Sequence, residues 1–499
     1  MVDEAKAPAY GTPLRFTIDV GWVLAMDIAA MVLGFVVQPM LARTLGAGGL
    51  GLYTLCLTIA GFALLPSNLG LAHSLLCVAA SATDGDEERR QVSVGLLTSA
   101  ALGTIVAVVV LVTRARIAEV LNAPELSALL PILAMSFPFA SVFVSVTGVL
   151  NGRRSMASYS LLGVGHRIMA AGFVLALLAA GCGVVGAVWG LVLTEVVLGV
   201  VSLPLLRYRI FLPVAAIQQR AAGLISFGAR LAATNAANTI MTHVDIFMVG
   251  YFLTTADVGH YGVAILLASL VPRLPQAIQR VVFPAAAKCW AVKDMVSLRV
   301  LVWKTMQLSA AAVTLLGIGL AFFGANIITV LFGGDFAPAI APFLILLLAR
   351  VVRGGTVVAT AVVLAAMGRP DINLKVETTA VVVNIGLNML LIPRMGLPGA
   401  ALATTISLLV ATSMTIVAMV RLVGVDMHIG WYARLWGMAT FTVVAYVFLR
   451  AYVQESLLAM VLLIVAASFT VGVLLSGEDR AWLRSVCASL FRRSSPPSS

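Results

Sequence analysis

About fourteen apolar stretches, each long enough to cross a lipid bilayer, follow one another along this chain. A spanning helix needs roughly 20 apolar residues at 1.5 Å rise each. The stretches fall near 17–43, 50–80, 92–113, 126–150, 155–180, 184–206, 223–253, 258–285, 299–323, 340–366, 373–393, 397–421, 434–453 and 456–475. In lipid only helices and closed barrels satisfy their own backbone. The runs here are continuous rather than alternating with period two, which excludes a barrel. Of 499 residues, 61% are hydrophobic and 11% charged, against about 25% charged in ordinary soluble domains. So few charges cannot cover a water-soluble surface. The expected fold is an all-α polytopic membrane protein with about 14 transmembrane helices.

Lysine and arginine set the expected orientation. With the N-terminus inside, twenty of the 32 basic residues fall in inner segments. Five, Arg43, Arg114, Arg116, Arg394 and Arg450, fall outside, and seven lie within spans. Both termini are therefore expected in the cytoplasm, with the protein in the cell (inner or plasma) membrane. The same bias accounts for the net charge of +11, so no nucleic-acid partner is implied. The first 16 residues carry Asp3, Glu4, Lys6 and Arg15, and helix 1 reads as an uncleaved signal anchor. Five scattered cysteines imply no disulfide framework, and no metal or other cofactor is expected. Prolines 66, 138, 204, 272, 275 and 342 lie in or beside spans, where they kink helices.

An internal repeat organises the spans. Leu50-Gly51-Leu52-Tyr53 recurs as Val258-Gly259-His260-Tyr261, and Pro131 as Pro342. Gly152-Arg153 recurs as Gly368-Arg369, and Gly186-Ala187 as Gly399-Ala400. The offsets are all about 210 residues. Six helices per copy, an even number, put both copies the same way up, related by an axis along the membrane normal. The expected organisation is a cytoplasmic tail (1–16), an N-terminal six-helix lobe (17–206), a cytoplasmic linker (207–222), a C-terminal six-helix lobe (223–421), two extra helices (434–475) and a cytoplasmic tail (476–499). In the last of these Trp482, Val486 and Leu490 share one face of an interfacial helix.

Several of these segments resemble a known family. They are Met40-Leu41-Ala42-Arg43-Thr44-Leu45-Gly46, Val244-Asp245-Ile246 through Gly250-Tyr251-Phe252-Leu253, Val282-Phe283-Pro284, and Ile392-Pro393-Arg394-Met395-Gly396. With the repeat anchors they resemble the polysaccharide exporters, the O-antigen-type flippases of the multidrug/oligosaccharidyl-lipid/polysaccharide (MOP) superfamily, over about residues 18–420. The resemblance implies two six-helix lobes in a V that move a lipid-linked oligosaccharide from the inner to the outer leaflet. Fourteen helices also fit the lipid II flippase branch, which places arginines in helix 1. Helix 1 here has Asp27 and no mid-span arginine. The drug-extrusion branch usually has twelve helices.

The spans carry seven basic residues: Arg167, Arg230, Arg273, Arg280, Lys304, Arg350 and Arg353. Each costs about 3 kcal/mol at a lipid-facing helix centre. Together that is on the order of 20 kcal/mol, more than a typical fold's net stability. Most must face protein, water or an anionic ligand, although Arg280 and Lys304 lie near the inner surface and can snorkel. Arg350 and Arg353 share a face of one helix, as do Arg273 and Arg280 of another. Guanidinium forks match phosphate oxygens. Arg230, Arg273, Arg280, Arg350 and Arg353 are therefore the expected anchors for a diphosphate headgroup. The competing reading is interhelical ion pairing with Asp27, Glu195, Asp245 or Glu377, and Arg167–Glu195 is the expected pair of that kind. Asp27 and Asp245 are the expected sites for a coupling proton or sodium. The five histidines show no ligand spacing and receive no role.

Three functions fit. The first is a flippase for a polyprenyl-diphosphate-linked oligosaccharide, serving cell-surface polysaccharide biosynthesis by alternating access. The second is a cation-coupled multidrug antiporter of the same architecture, although the spans carry more arginine than carboxylate. The third is a membrane glycan polymerase or glycosyltransferase. No loop exceeds about 16 residues, so no soluble catalytic domain fits between the helices, and the chain is not expected to be an enzyme.

Overall fold

The computed structural model describes residues 13–82, 84–206, 217–450 and 455–470, and no strand occurs among them. The helices are α1 (Pro13–Asn68), α2 (Leu71–Ser81), α3 (Gly85–Val120), α4 (Leu126–Ala134), α5 (Phe137–Gly152), α6 (Met156–Ala179), α7 (Gly183–Val201) and α8 (Ile217–Phe252). They continue as α9 (Thr255–Ala268), α10 (Arg273–Ala291), α11 (Met295–Phe332), α12 (Ile340–Ala366), α13 (Pro370–Met395), α14 (Leu397–Val423), α15 (Ile429–Leu449) and α16 (Glu455–Phe469). Among the described residues nine helices are long and apolar enough to cross a membrane, or ten when the bent pair α4–α5 counts as one. The apolar segments Leu71–Ser81, Thr239–Phe252 and Leu458–Phe469 are shorter. The chain is a multi-pass, all-helical membrane protein.

Glycine and proline set the interruptions. Two expected spans run together in α1, broken at Gly46, whose backbone (φ 67°, ψ −178°) is not helical. A residue with a Cβ is strained at that positive φ. The α4–α5 pair bends by 45° just before Pro138. That proline sits in the first turn of α5, where its missing N–H costs no helical bond. Pro272 is the N-cap of α10, and the expected span 258–285 is divided between α9 and α10.

The chain divides into two compact units. One comprises the chain up to Gly262 with Leu331–Asp335, and the other comprises Val263–Val330 with the chain from Phe336 onward. In the first unit α2 and α3 pack on α5, and α6 packs on α7 and α1. A buried polar seam joins three of these helices. Asn68 Nδ2 donates to Ser145 Oγ at 3.0 Å, Ser145 and Ser99 hydroxyls meet at 2.7 Å, and Ser141 Oγ donates to Ser67 O. The helix α8 belongs to this unit: Ser74 Oγ donates to Leu224 O at 2.6 Å, and Gly228 leaves no room for a Cβ beside Gly70.

In the second unit α12, α13 and α14 pack together and α10 lies on α12. Ser309 Oγ of α11 donates to Gly354 O of α12 at 2.7 Å. The helix α15 is anchored here. Tyr432 of α15 donates to Gly355 O at 3.1 Å, and Tyr446 stacks on Phe322 of α11 with centroids 4.2 Å apart. The expected interfacial helix with Trp482, Val486 and Leu490, the N-terminal tail to residue 12, and linker residues 207–216 lie outside the described residues.

Candidate functional site

The second unit carries four of the five expected anion anchors on one packed helix pair, three of them with described side chains. Arg273 opens α10 and is exposed; Arg350 and Arg353 lie one turn apart in α12, both half-buried. The two helices touch where Gly354 meets Pro275, the site of a Gly354 Cβ lying 3.5 Å from the proline Cγ. Arg353 has an acidic partner: its Nη2 lies 2.6 Å from Glu377 Oε1 of α13, with both side chains about one-fifth exposed. Its Nη1 is buried with no hydrogen-bond partner among the described residues. Arg353 is thus charge-balanced within its own unit. Arg280 lies further along α10, at a position whose side chain is outside the described residues, and Lys304 is exposed on α11.

In the first unit Asp245 is buried on α8, 4% exposed. Asp27 of α1 and Arg230 of α8 occupy positions whose side chains lie outside the described residues. The expected Arg167–Glu195 pair is not formed. Glu195 Oε1 of α7 lies 2.8 Å from His166 Nε2 of α6. The imidazole stacks on Phe143 of α5, with centroids 5.4 Å apart and planes 19° apart. Arg167, one residue on and so about 100° further round the helix, is exposed and makes no ion pair among the described residues. His243, to which the sequence gives no role, packs its ring into the space left by Gly61 of α1, against Phe62.

The repeat motifs themselves meet. A Cβ on Gly51 of α1 would overlap the carbonyl oxygen of Thr255 and lie 3.1 Å from Gly259 N. A Cβ on Gly259 of α9 would overlap the carbonyl oxygen of Ala47 and lie 3.2 Å from Gly51 N. Only residues without a side chain allow this approach. At the opposite end of the first unit, two ion pairs tie α8 and α5 to α3. Arg220 Nη1 pairs with Glu87 Oε1, and Arg153 Nε with Glu88 Oε1 at 2.8 Å. Arg153 also donates to Leu206 O at 2.8 Å. Beside them lies a cavity of about 360 Å³ lined by Ser74, Cys77, Asp84, Glu87, Gln91 and Phe227. Hydrogen bonds from Gln91 and then Arg220 hold the Glu87 carboxyl below its ordinary range. Among the described residues no three His, Cys, Asp or Glu side chains group as a metal site.

Residues 40–341 match the model of the family described as "Polysaccharide biosynthesis protein". The chain belongs to this family. Among curated relatives, this polysaccharide biosynthesis protein is 27% identical over 285 residues to the probable flippase AglR of Haloferax volcanii, covering 56% of this chain and 59% of the relative. It is 26% identical over 171 residues to Agl15 of the same organism, a probable low-salt glycan biosynthesis flippase, covering 34% and 36%. The chain thus spans between about a third and three-fifths of these relatives' lengths. Its fold is shared with solved transporters of low sequence identity. A structure of the lipid II flippase MurJ in an inward closed conformation superposes with a TM-score of 0.74 at 14% identity, covering 89% of this chain and 98% of that one. An inward-facing multidrug MATE transporter of the MOP superfamily superposes at 0.60 and 14% identity, covering 79% and 98%.

Proposed function

We propose that this polysaccharide biosynthesis protein is a flippase that moves a polyprenyl-diphosphate-linked oligosaccharide from the inner to the outer leaflet by alternating access. The observation that carries the reading is the arginine set Arg273, Arg350 and Arg353 on the packed pair α10 and α12, the last two inside an apolar segment where basic side chains are costly. Two of them, Arg350 and Arg353, stand one turn apart on α12. A diphosphate offers four or more oxygens to such forks. Arg230 and Arg280 join the same proposed set. The names of the relatives AglR and Agl15, both probable flippases, support this choice.

In this reading fourteen spans form two parallel six-helix repeats with two added helices, and both ends lie in the cytoplasm of the cell membrane. Asp27 and Asp245 are the proposed coupling-ion groups. The mutual approach of Gly51 and Gly259 supports a two-fold relation between the repeats. No catalytic role is assigned to any residue. The test is the sidedness of lipid-linked glycan in cells that lack the protein. The flippase reading expects the glycan to accumulate on the cytoplasmic face. An unchanged outer-leaflet pool overturns it.

A second reading, a cation-coupled multidrug antiporter, is favoured by one observation, the MATE fold. It needs carboxylates to hold cationic drugs, and the described spans hold more arginine than acid. Ion-driven dye efflux from vesicles containing the purified protein would establish this reading in place of the first.

A further inference from the structure

The pair His166–Glu195 is a second kind of charge inside the membrane. His166 is the eleventh residue of α6, which runs Met156–Ala179, and Glu195 the thirteenth of α7, which runs Gly183–Val201. Each lies well inside its helix, about 15–18 Å from the first residue at 1.5 Å per residue. The pair is close at 2.8 Å, yet both side chains keep about a quarter of their surface exposed, 26% and 22%. Helical geometry turns the pair away from the exposed apolar side chains of both helices. The apolar exposed stripe of α6 contains Leu161 and Ile168, and His166 lies about 150° round the helix from it at 100° per residue. On α7 the exposed apolar residues are Val185, Val200 and Val201, and Glu195 lies on the far side from their mean direction.

The choice of partner carries the inference. Glu377 is paired with Arg353, which never releases its proton, so that pair is a fixed neutral unit. Glu195 is paired instead with an imidazole, the side chain whose charge changes in the physiological range, although Arg167 stands next to it in sequence. With one proton the pair is neutral; without it the site carries one negative charge in a low-dielectric span. We propose that His166 and Glu195 form an intramembrane proton-binding site, loading one proton from water on one side of the membrane and releasing it on the other during the transport cycle. No bond other than N–H or O–H forms or breaks, and the proton gradient supplies the free energy.

The ionisable side chains on the elements packed around the pair are few. Of the elements packed on α6 and α7, α5 and α4 carry no ionisable side chain, and neither does the turn Leu203–Leu206. α6 adds Tyr159 and the exposed Arg167. α1 adds Arg43, which donates to Leu331 O, the buried Tyr53 and Cys56, and Arg15, Asp19 and Asp27 at positions whose side chains lie outside the described residues.

The experiment uses the full chain in lipid nanodiscs with the proton itself as the probe, and so does not depend on the flippase reading. Histidine carrying ¹⁵N reports the protonation of each imidazole, and the His166 signal is the one missing from His166→Arg. The proposal expects that signal to report both a protonated and a neutral imidazole as the bulk pH is varied across the physiological range. A resonance that stays neutral or stays protonated throughout that range overturns the proposal. The second arm is export of lipid-linked glycan, and rests on that reading. His166→Arg keeps an ion pair with Glu195 and should melt like wild type, yet it should lose export driven by a proton gradient, as should Glu195→Gln. Full proton-dependent export by a stably folded His166→Arg makes the pair structural and overturns the proposal. Absence of export in the wild type, with His166 still titrating, is instead a failure of the flippase reading.

Discussion

Gly51 and Gly259 hold reciprocal positions: each lies against the other's backbone, and each faces the carbonyl of the residue four before its counterpart. Ala47 and Thr255 are those residues, separated by the same 208 positions as the glycines. The two copies of the motif thus meet reciprocally. The contact joins α1 to α9, on the side that the charge bias assigns to the outside. If it parts to release cargo, fixing it should stop transport. A Cβ at Gly48 would lie 3.8 Å from Thr255 Oγ1, within the range from which a disulfide can close. The double variant Gly48→Cys/Thr255→Cys, with the five native cysteines replaced, should form that bond on oxidation and lose export, with recovery on reduction. Undiminished export by the oxidised protein would show that this contact does not open.

Arg353 and Glu377 should behave as a structural pair. Removing one partner of a half-buried pair strands the other charge, at a cost of about 3 kcal/mol. Arg353→Ala should lower the unfolding temperature in detergent, and Arg353→Ala/Glu377→Ala should recover much of the loss. Additive losses in the double variant would mean that the two side chains act independently.

Arg350 and Arg273 should behave differently. Their proposed role is toward an anion, so Arg350→Ala and Arg273→Ala should accumulate in the membrane and melt like wild type while losing export. Lysine retains the charge but not the fork, and should restore export only in part. Loss of accumulation instead of loss of export would assign both arginines to packing.

The Glu87–Arg220 pair predicts an acid-side effect. The Glu87 carboxyl titrates below its ordinary range because Gln91 and Arg220 donate to it. Its stabilisation is therefore fully present above the unfolded carboxylate value of about 4.3 and is lost as the pH falls through the lower folded value. For a pair this exposed the size is below about 1 kcal/mol. The difference in unfolding temperature between wild type and Glu87→Gln should be constant above about pH 5 and close on acidification. A difference that widens in acid would contradict this assignment.

Much of the fold is legible in the residues. Apolar length marks where helices run, and Gly46, Pro138 and Pro272 mark where they break. The candidate site is legible in residue type more than in pairing. Arg353 has an acidic partner because Glu377 happens to face it from α13, and nothing local in the sequence fixes that rotation. The pair made by Glu195 turns on a similar detail. The tight α6–α7 turn, with Gly181 and Gly183 at positive φ, sets the register of the hairpin. One residue of register, about 100° of rotation, decides whether His166 or Arg167 reaches α7. Gly51 and Gly259 stand out as repeat anchors, but their mutual contact depends on how distant segments meet, which local pattern does not encode.

The central claim is that the chain carries lipid-linked glycan across the membrane, and sidedness of that glycan tests it most directly. Cells depleted of the protein, and the same cells resupplied with wild type or Arg350→Ala, would be probed for lipid-linked glycan accessible at the outer leaflet. The account predicts loss on depletion, return with wild type and no return with Arg350→Ala. An outer-leaflet pool that stays constant through depletion and resupply would contradict it.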